Sequence, residues 1–283
     1  MDNLLITGAN GFVGSHLMDK LDGYYKLYGT SRTGKNDLME LDLVNDDSVK
    51  EFINTAKKLD IKYVVHTASQ LVNSEMSVND QLHVFEANVK IAFNLSTIIK
   101  QLRIPVLVNC SSMAVYPNVD GEFGEDSLVN PAMNSEFFYG LSKYCSEMIF
   151  DNLLHTTCRI VHLRISQIYG EGMRSDRIIS IMRQDLTRYN SIEVYGNGER
   201  ISNFINVNSV CDAIGQMLAW NDARGIYNLG EENISYLSLA ERIKKIYGDK
   251  DSSISLTEKG SKSKFILKTD KIEKLRKGHL EEK

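Results

Sequence analysis

The stretch that decides the fold is Asn3-Leu4-Leu5-Ile6-Thr7-Gly8-Ala9-Asn10-Gly11-Phe12-Val13-Gly14. Asn3 to Thr7 reads as a buried strand ending in a glycine-rich turn, and Phe12 to Leu21 as the helix that follows. That context turns a glycine pattern into a dinucleotide fingerprint. The first glycine permits a tight turn, the second lets the backbone approach a pyrophosphate, and the third lets the helix pack close to the sheet. The helix N-terminus adds amide donors and a positive dipole end. The spacing is Gly-x-x-Gly-x-x-Gly rather than Gly-x-Gly-x-x-Gly. Taken alone it would fit a plain strand-to-helix turn; its position argues for a cofactor site.

Working outward, the first half of the chain keeps alternating short apolar runs with helical patterns. Strands are expected at Tyr25–Gly29, Leu38–Leu43, Tyr63–His66, Val106–Cys110 and Arg159–Ile165. Helices are expected at Ser48–Leu59, His83–Leu102, Tyr139–Leu154, Val207–Trp220 and Leu237–Tyr247. Such alternation predicts an α/β protein with a doubly wound parallel sheet, a Rossmann-like NAD(P)-binding fold. Past residue 166 the rhythm loosens into glycine turns at 170–172 and 196–198.

Composition bounds the function. The 283 residues are 42% hydrophobic and 25% charged, which fits a globular chain with a sizeable core and not disorder. A net charge of −4 gives no case for nucleic-acid binding. No apolar run is long enough to span a membrane, and the N-terminus lacks the basic start and cleavage region of a signal peptide. Cys110, Cys145, Cys158 and Cys211 form no Cys-x-x-Cys pair, so neither a metal site nor a disulfide framework is expected. These features lead to an expected cytoplasmic location. The last 27 residues carry nine basic and five acidic side chains, which fit a solvated helix and a tail better than an anionic partner.

Two further regions carry chemistry. The second strand ends in Gly29-Thr30-Ser31-Arg32, without the acid that would accept from an adenosine ribose 2′-hydroxyl. Arg32 offers a fork of donors suited to a 2′-phosphate, with hydroxyls from Thr30 and Ser31 beside it. NADP(H) is therefore favoured, with NAD(H) as the alternative and a solvated Arg32 as the plain reading. Asp42 and Leu43 either contact the adenine or cap a turn. Further on, Tyr139-Gly140-Leu141-Ser142-Lys143 sets a phenol and an ammonium four apart, on one helix face. A nearby ammonium lowers a phenol's pKa and fits it for proton transfer. The apolar strand 106–110 runs into Ser111-Ser112-Met113-Ala114-Val115-Tyr116. Strand C-terminal ends are where ligands bind in open α/β sheets. Ser112 there would hydrogen-bond the reacting oxygen while Tyr139 moves its proton.

From Leu4 to about Leu275 the chain resembles the extended short-chain dehydrogenase/reductase family, in its nucleotide-sugar epimerase, reductase and dehydratase branch. The resemblance rests on Thr7–Gly14, on the Ser-Ser-x-x-Val-Tyr motif at 111–116 and on the Tyr-x-x-x-Lys motif at 139–143. Arg164 to Gly170 adds the family's Arg-…-Tyr-Gly segment, and Gly196 to Val210 its substrate-side strand and helix start. It implies catalytic Ser112, Tyr139 and Lys143, with Lys143 also holding the nicotinamide ribose. It implies a cofactor lying along Gly8, Asn10, Gly11, Phe12, Val13 and Gly14, then Ser31, Arg32, Asp42, Leu43, Thr67, Ala68 and Ser69, and reaching Tyr139 and Lys143. His66 is expected as a packed histidine, and Asn88 in a structural or dimer-interface role.

Departures from the family pattern narrow the reaction. The acid–base pair that dehydratases carry after the catalytic hydroxyl is replaced by Met113 and Ala114. The resemblance then implies a 4-keto-sugar reductase, with a 4-epimerase as the alternative, in polysaccharide biosynthesis. A non-sugar carbonyl reductase and a non-catalytic NADP sensor stand further back. The Arg-Asp pair that relatives use on substrate phosphates is Ser202-Asn203 here, so Arg174, Arg200 and Gln167 become the substrate-binding candidates beside Ser112. The family also implies a nucleotide-sugar substrate and a homodimer built on 83–102 and 139–154. It divides the chain into a cofactor domain, 1–165 plus 204–228, and a substrate lobe, 166–203 plus 229–283.

Overall fold

The computed structural model describes residues 1–73 and 75–281. The chain opens with strand β1 (Asn3–Thr7), helix α1 (Phe12–Leu21), β2 (Lys26–Ser31), β3 (Met39–Glu40), α2 (Asp46–Ala56), β4 (Ile61–His66), α3 (Val78–Leu102) and β5 (Val106–Ser112). A single 3-10 turn at Met113–Val115, β6 (Gly121–Phe123), α4 (Phe137–Leu154) and β7 (Arg159–Ile165) follow. Then come β8 (Gln167–Tyr169), α5 (Ile178–Tyr189), β9 (Ser191–Tyr195), β10 (Ile201–Asn206), α6 (Val207–Ala219) and β11 (Gly225–Leu229). The chain finishes with β12 (Glu232–Ser235), α7 (Tyr236–Tyr247), β13 (Ser253–Thr257), β14 (Phe265–Leu267) and α8 (Asp270–Glu281).

Seven strands form one parallel sheet in the order β11-β7-β5-β4-β1-β2-β3. Leu4, Leu5 and Ile6 of β1 are fully buried, as a strand covered on both faces requires. Leu4 and Ile6 pack with Leu17 of α1 and with Val210, Ile214 and Met217 of α6. Leu5 points the other way, into the layer of α2, α3 and α4 with Phe52, Leu95 and Phe150. Strand order reverses between β1 and β4, and the crevice outside the carboxyl ends of these strands is where such sheets bind ligands.

Local chemistry sets the helix starts. The Asn45 side chain accepts from the Asp47 and Ser48 amides, capping α2. Ser77 and Asp80 form a reciprocal capping box, so α3 begins at Val78, five residues earlier than the apolar periodicity alone places it. The strand expected over 38–43 shrinks to Met39–Glu40. The Asp42 carboxylate takes the Val44 amide at 3.0 Å, and the Asp42 amide donates to Ser48 Oγ at 2.9 Å, so the chain turns there instead of pairing.

Beside the large sheet lie a three-stranded sheet (β12-β10-β8) and the two-stranded pairs β13-β9 and β14-β6. Phe204, Ile192, Val194, Met182 and Leu239 form the core under α5 and α7. Helix α8 does not stay with these elements, although 229–283 is expected there as a block. Its Ile272 is fully buried against the α1–α6 layer and Leu275 packs on the same layer, so its apolar stripe closes the large sheet. Among the described residues no helix is long and apolar enough to cross a membrane.

Candidate active site

The glycine turn is built as its spacing requires. Gly8 has φ +72°, and a Cβ there would come within 2.8 Å of the Ala68 backbone. A Cβ on Gly14 would sit on the Gly8 carbonyl oxygen, so this glycine serves close helix–turn packing and lines no cavity. No side chain caps α1, whose first amides are left to a ligand or to water.

Two cavities meet at this turn. One, of about 600 Å³, is bounded by Gly8, Asn10, Thr30, Ser31, Arg32, Asp42, Leu43 and Ala68. The other, of about 420 Å³, is bounded by Phe12, Val13, Ser112, Tyr139, Lys143, Gln167, Arg174 and Arg200. Gly11, Thr67 and Ser69 line both, so the two form one continuous crevice along the carboxyl ends of β1, β2, β4 and β5. The positions expected from the sequence to bind cofactor or substrate are thus brought to one crevice, Gly14 excepted.

In the larger cavity Ser31 is buried and its hydroxyl has no protein partner. A buried hydroxyl without a partner is costly, and one lining a cavity is available to a ligand. Arg32 beside it is exposed. Asp42 spends one carboxylate oxygen on the Val44 amide, which is the turn-capping alternative, while its residue still lines the cavity.

In the smaller cavity Tyr139 and Ser112 face each other. Burial, and then the Glu136 carboxylate, push the Tyr139 phenol well above its ordinary value. The Arg177 guanidinium and a hydrogen bond with the Ser112 hydroxyl draw it back. Lys143 is buried and donates to the Cys110 carbonyl at 2.9 Å, with Nζ 5.6 Å from the Tyr139 ring centroid. Burial lowers its ammonium to about 8. The Lys143 ammonium thus stands beside the Tyr139 ring while tied to β5, and Arg177 is a second cation that pulls the phenol down.

Two supporting residues have settled roles. Asn88 accepts from the Gln70 amide at 2.8 Å and donates to the Gln70 carbonyl at 3.0 Å and to Ser142 Oγ at 3.1 Å. It therefore pins the loop after β4 to the helix that carries Tyr139 and Lys143. His66 is buried, with Nδ1 2.7 Å from the Thr7 hydroxyl and its ring edge-to-face with Phe150. Burial and the charge of Lys143 lower it to about 3, so it is neutral and structural.

On the substrate side, Ser202 and Asn203 are almost completely buried. Gln167 donates to Ser202 Oγ at 2.8 Å and Asn203 to Asn233 at 3.1 Å, and neither 202 nor 203 lines either cavity. Arg200 stacks 5.0 Å over the Tyr236 ring, and Arg174 pairs with Asp176. Sequence reasoning missed Glu136 and Arg177, which pair at 2.9 Å across this cavity. Neither belongs to a spaced motif; only the apposition of α4 and α5 brings them together.

Comparison with known proteins agrees with this architecture. Residues 4–230 match the model of the NAD dependent epimerase/dehydratase family. A Methanocaldococcus jannaschii protein, provisionally named a UDP-glucose 4-epimerase, is 31% identical over 250 residues, covering 80% of this chain and 76% of that one. A Streptomyces dTDP-4-dehydro-6-deoxy-D-allose reductase is 25% identical over 269 residues, 87% of this chain and 81% of that one. Among solved structures, a Thermotoga maritima UDP-glucose 4-epimerase with UDP-glucose superposes with a TM-score of 0.78 at 21% identity, covering 96% of this chain and 91% of that one. A Bacillus anthracis dTDP-glucose 4,6-dehydratase in complex with NAD gives 0.77 at 19% identity, covering 97% and 90%.

Proposed function

The chain belongs to the NAD-dependent epimerase/dehydratase family, and from that premise we propose that it is a nucleotide-sugar 4-keto reductase using NADP(H). The observation that carries this reading is the adenosine end of the crevice. Strand β2 ends in the partnerless buried Ser31 hydroxyl and the exposed Arg32, where an NAD site would present an acid. These groups suit a 2′-phosphate. The uncapped start of α1 and the close-packed Gly8 turn suit the pyrophosphate. When bound, the nicotinamide supplies the hydride, which the side chains of this protein cannot.

The protein's own contribution is orientation and proton movement. The Ser112 hydroxyl holds the oxygen of the sugar carbonyl, and Tyr139, lining the same cavity, delivers the proton as that carbonyl becomes an alcohol. A phenol held above its ordinary value is protonated at neutral pH, the state a reductase needs at the start of its cycle. Lys143 anchors the same helix turn to β5 and would hold the nicotinamide ribose. Met113 and Ala114 offer neither acid nor base, which supports a reaction without water elimination. Arg174 and Arg200 are the groups for the substrate diphosphate.

A 4-epimerase that keeps its cofactor is the second reading, favoured by the name of the 31%-identical relative. Fluorescence titration of the purified protein with NADPH and NADH, after assay for co-purified cofactor, separates the two. Preference for NADPH that is lost in Arg32→Ala supports the reductase. Tightly retained NAD moves the reading to the epimerase. Tyr139→Phe is expected to abolish turnover and leave cofactor affinity unchanged; unchanged turnover would overturn the mechanism.

A further inference from the structure

We propose that the buried Glu147–Arg164 pair is a positioning device for the acid/base site, fixing the end of β5 against α4 so that Ser112 and the Cys110 carbonyl meet Tyr139 and Lys143. The inference rests on the reading of Ser112, Tyr139 and Lys143 given above. Glu147 on α4 has no solvent exposure and Arg164 on β7 has 2%. Arg164 donates Nη2 to Glu147 Oε2 at 2.8 Å and Nε to Oε1 at 3.1 Å. Its Nη1 donates to the Tyr116 hydroxyl at 2.9 Å, and that hydroxyl lies 2.8 Å from Asn228 Oδ1 on β11. Ser111, the cross-strand neighbour of Arg164, donates its hydroxyl to Glu147 Oε1.

The placement of Ser111 gives the pair its role. Ser111 stands between Cys110, whose carbonyl takes the Lys143 ammonium, and Ser112, which lines the same cavity as Tyr139. Glu147 lies one helical turn beyond Lys143, on the same face of α4. One carboxylate thus grips the strand between the carbonyl that holds Lys143 and the serine that shares the cavity with Tyr139, from the helix that carries the acid/base pair. Stability alone is a poor reason for this arrangement, because apolar replacement of a buried ion pair is often neutral or stabilising. Electrostatics act in the same direction. The groups facing Lys143 are Cys110 from β5, neutral His66 from β4, and Tyr139 and Glu147 from its own helix. Burial lowers the ammonium to about 8, and the Glu147 carboxylate opposes that fall.

The test compares Glu147→Gln, Ser111→Ala and the paired apolar replacement Glu147→Leu/Arg164→Met in the full chain. The Lys143 Nζ is followed by 15N NMR against pH, and turnover by NADPH oxidation with a dTDP-4-keto-6-deoxyhexose. In Glu147→Gln the Lys143 titration is expected to move down by about 1, the size of effect a neighbouring opposite charge has. In the paired replacement the melting temperature is expected to return towards wild type while the Lys143 titration stays low. Its kcat is expected to fall towards the roughly 10²-fold that a 1 Å misplacement costs, with KM little changed. Ser111→Ala, which removes one hydrogen bond, is expected to lower kcat in a protein that is less stable but still folded, and it carries the test if Glu147→Gln does not fold. A paired replacement with wild-type Lys143 titration and wild-type kcat would overturn the proposal. Absence of turnover in the wild-type protein would count against the reductase reading alone, since the Lys143 titration needs no substrate.

Discussion

Gly140 directly follows Tyr139, and its replacement by alanine tests whether the acid/base geometry is set by the contact of α4 with the Met113–Val115 turn. A Cβ built on Gly140 stands 2.9 Å from the Ala114 carbonyl carbon and 3.3 Å from Pro131 Cβ, and closer still to the Ala114 oxygen. Carbon pairs rest at roughly 3.5–4.0 Å and the oxygen is the tighter contact, so the start of α4 must retreat by about 1 Å or more. Overpacking of this kind costs about 1–3 kcal/mol, of which better helix propensity returns up to about 1 kcal/mol. The net loss of about 0–2 kcal/mol leaves the protein folded. The retreat carries Tyr139 away from Ser112, whose Oγ is tied to the Ala114 amide at 3.1 Å and cannot follow. A misplacement of about 1 Å predicts a kcat loss on the order of 10²-fold. NADPH binding is expected to persist, because the glycine turn lies on other elements, with only the Lys143 contact to the ribose weakened. The assay is NADPH oxidation with a nucleotide 4-keto sugar, beside a thermal melt and a cofactor titration. Turnover indistinguishable from wild type in a folded Gly140→Ala would refute the reasoning.

Two further outcomes are expected. His66 titrates at about 3 in the folded protein and near 6.5 when unfolded, so between these values the unfolded chain binds the extra proton and stability rises with pH. That contribution is complete above pH 6.5 and is lost as pH falls; at pH 5 the loss is about 2 kcal/mol. Urea melts at pH 5 and 7 should show it, and His66→Asn should flatten the difference; an equal acid limb in both proteins would exclude His66 as the cause. The second concerns assembly: α3 leaves Leu82 39% and Phe93 47% exposed, and α4 packs beside it. Equilibrium sedimentation is expected to give a dimer at micromolar concentration, shifted to monomer by Phe93→Glu; a monomeric wild type would remove the helix-pair interface.

The parts legible in the sequence are those fixed by local spacing. The glycine turn, the strands feeding the crevice and the Tyr139–Lys143 face depend on residues within a few positions of each other. What escaped depends on chain segments meeting. Glu136 and Arg177 become a pair only because the starts of α4 and α5 meet. The orphaned Ser31 hydroxyl is a property of packing, not of residue type. Other misses had a readable signal. The capping box at Ser77–Asp80 marks the start of α3 before its apolar face begins. Helix α8 shows Ile272 and Leu275 three positions apart and flanked by charged residues, a stripe too thin to stand out in a charge-rich segment.

Asn88 gives the crevice a property that neither of its ends has alone. Its one carboxamide holds the Gln70 backbone at the cofactor wall and the Ser142 hydroxyl inside the turn between Tyr139 and Lys143. A small molecule wedged beside Gln70 would strain the proton-transfer turn through that carboxamide while leaving the sugar's place open. Inhibition from there would be noncompetitive with the sugar, and its resistance mutations would arise on α3, a helix that packs against the catalytic one without supplying a reacting group.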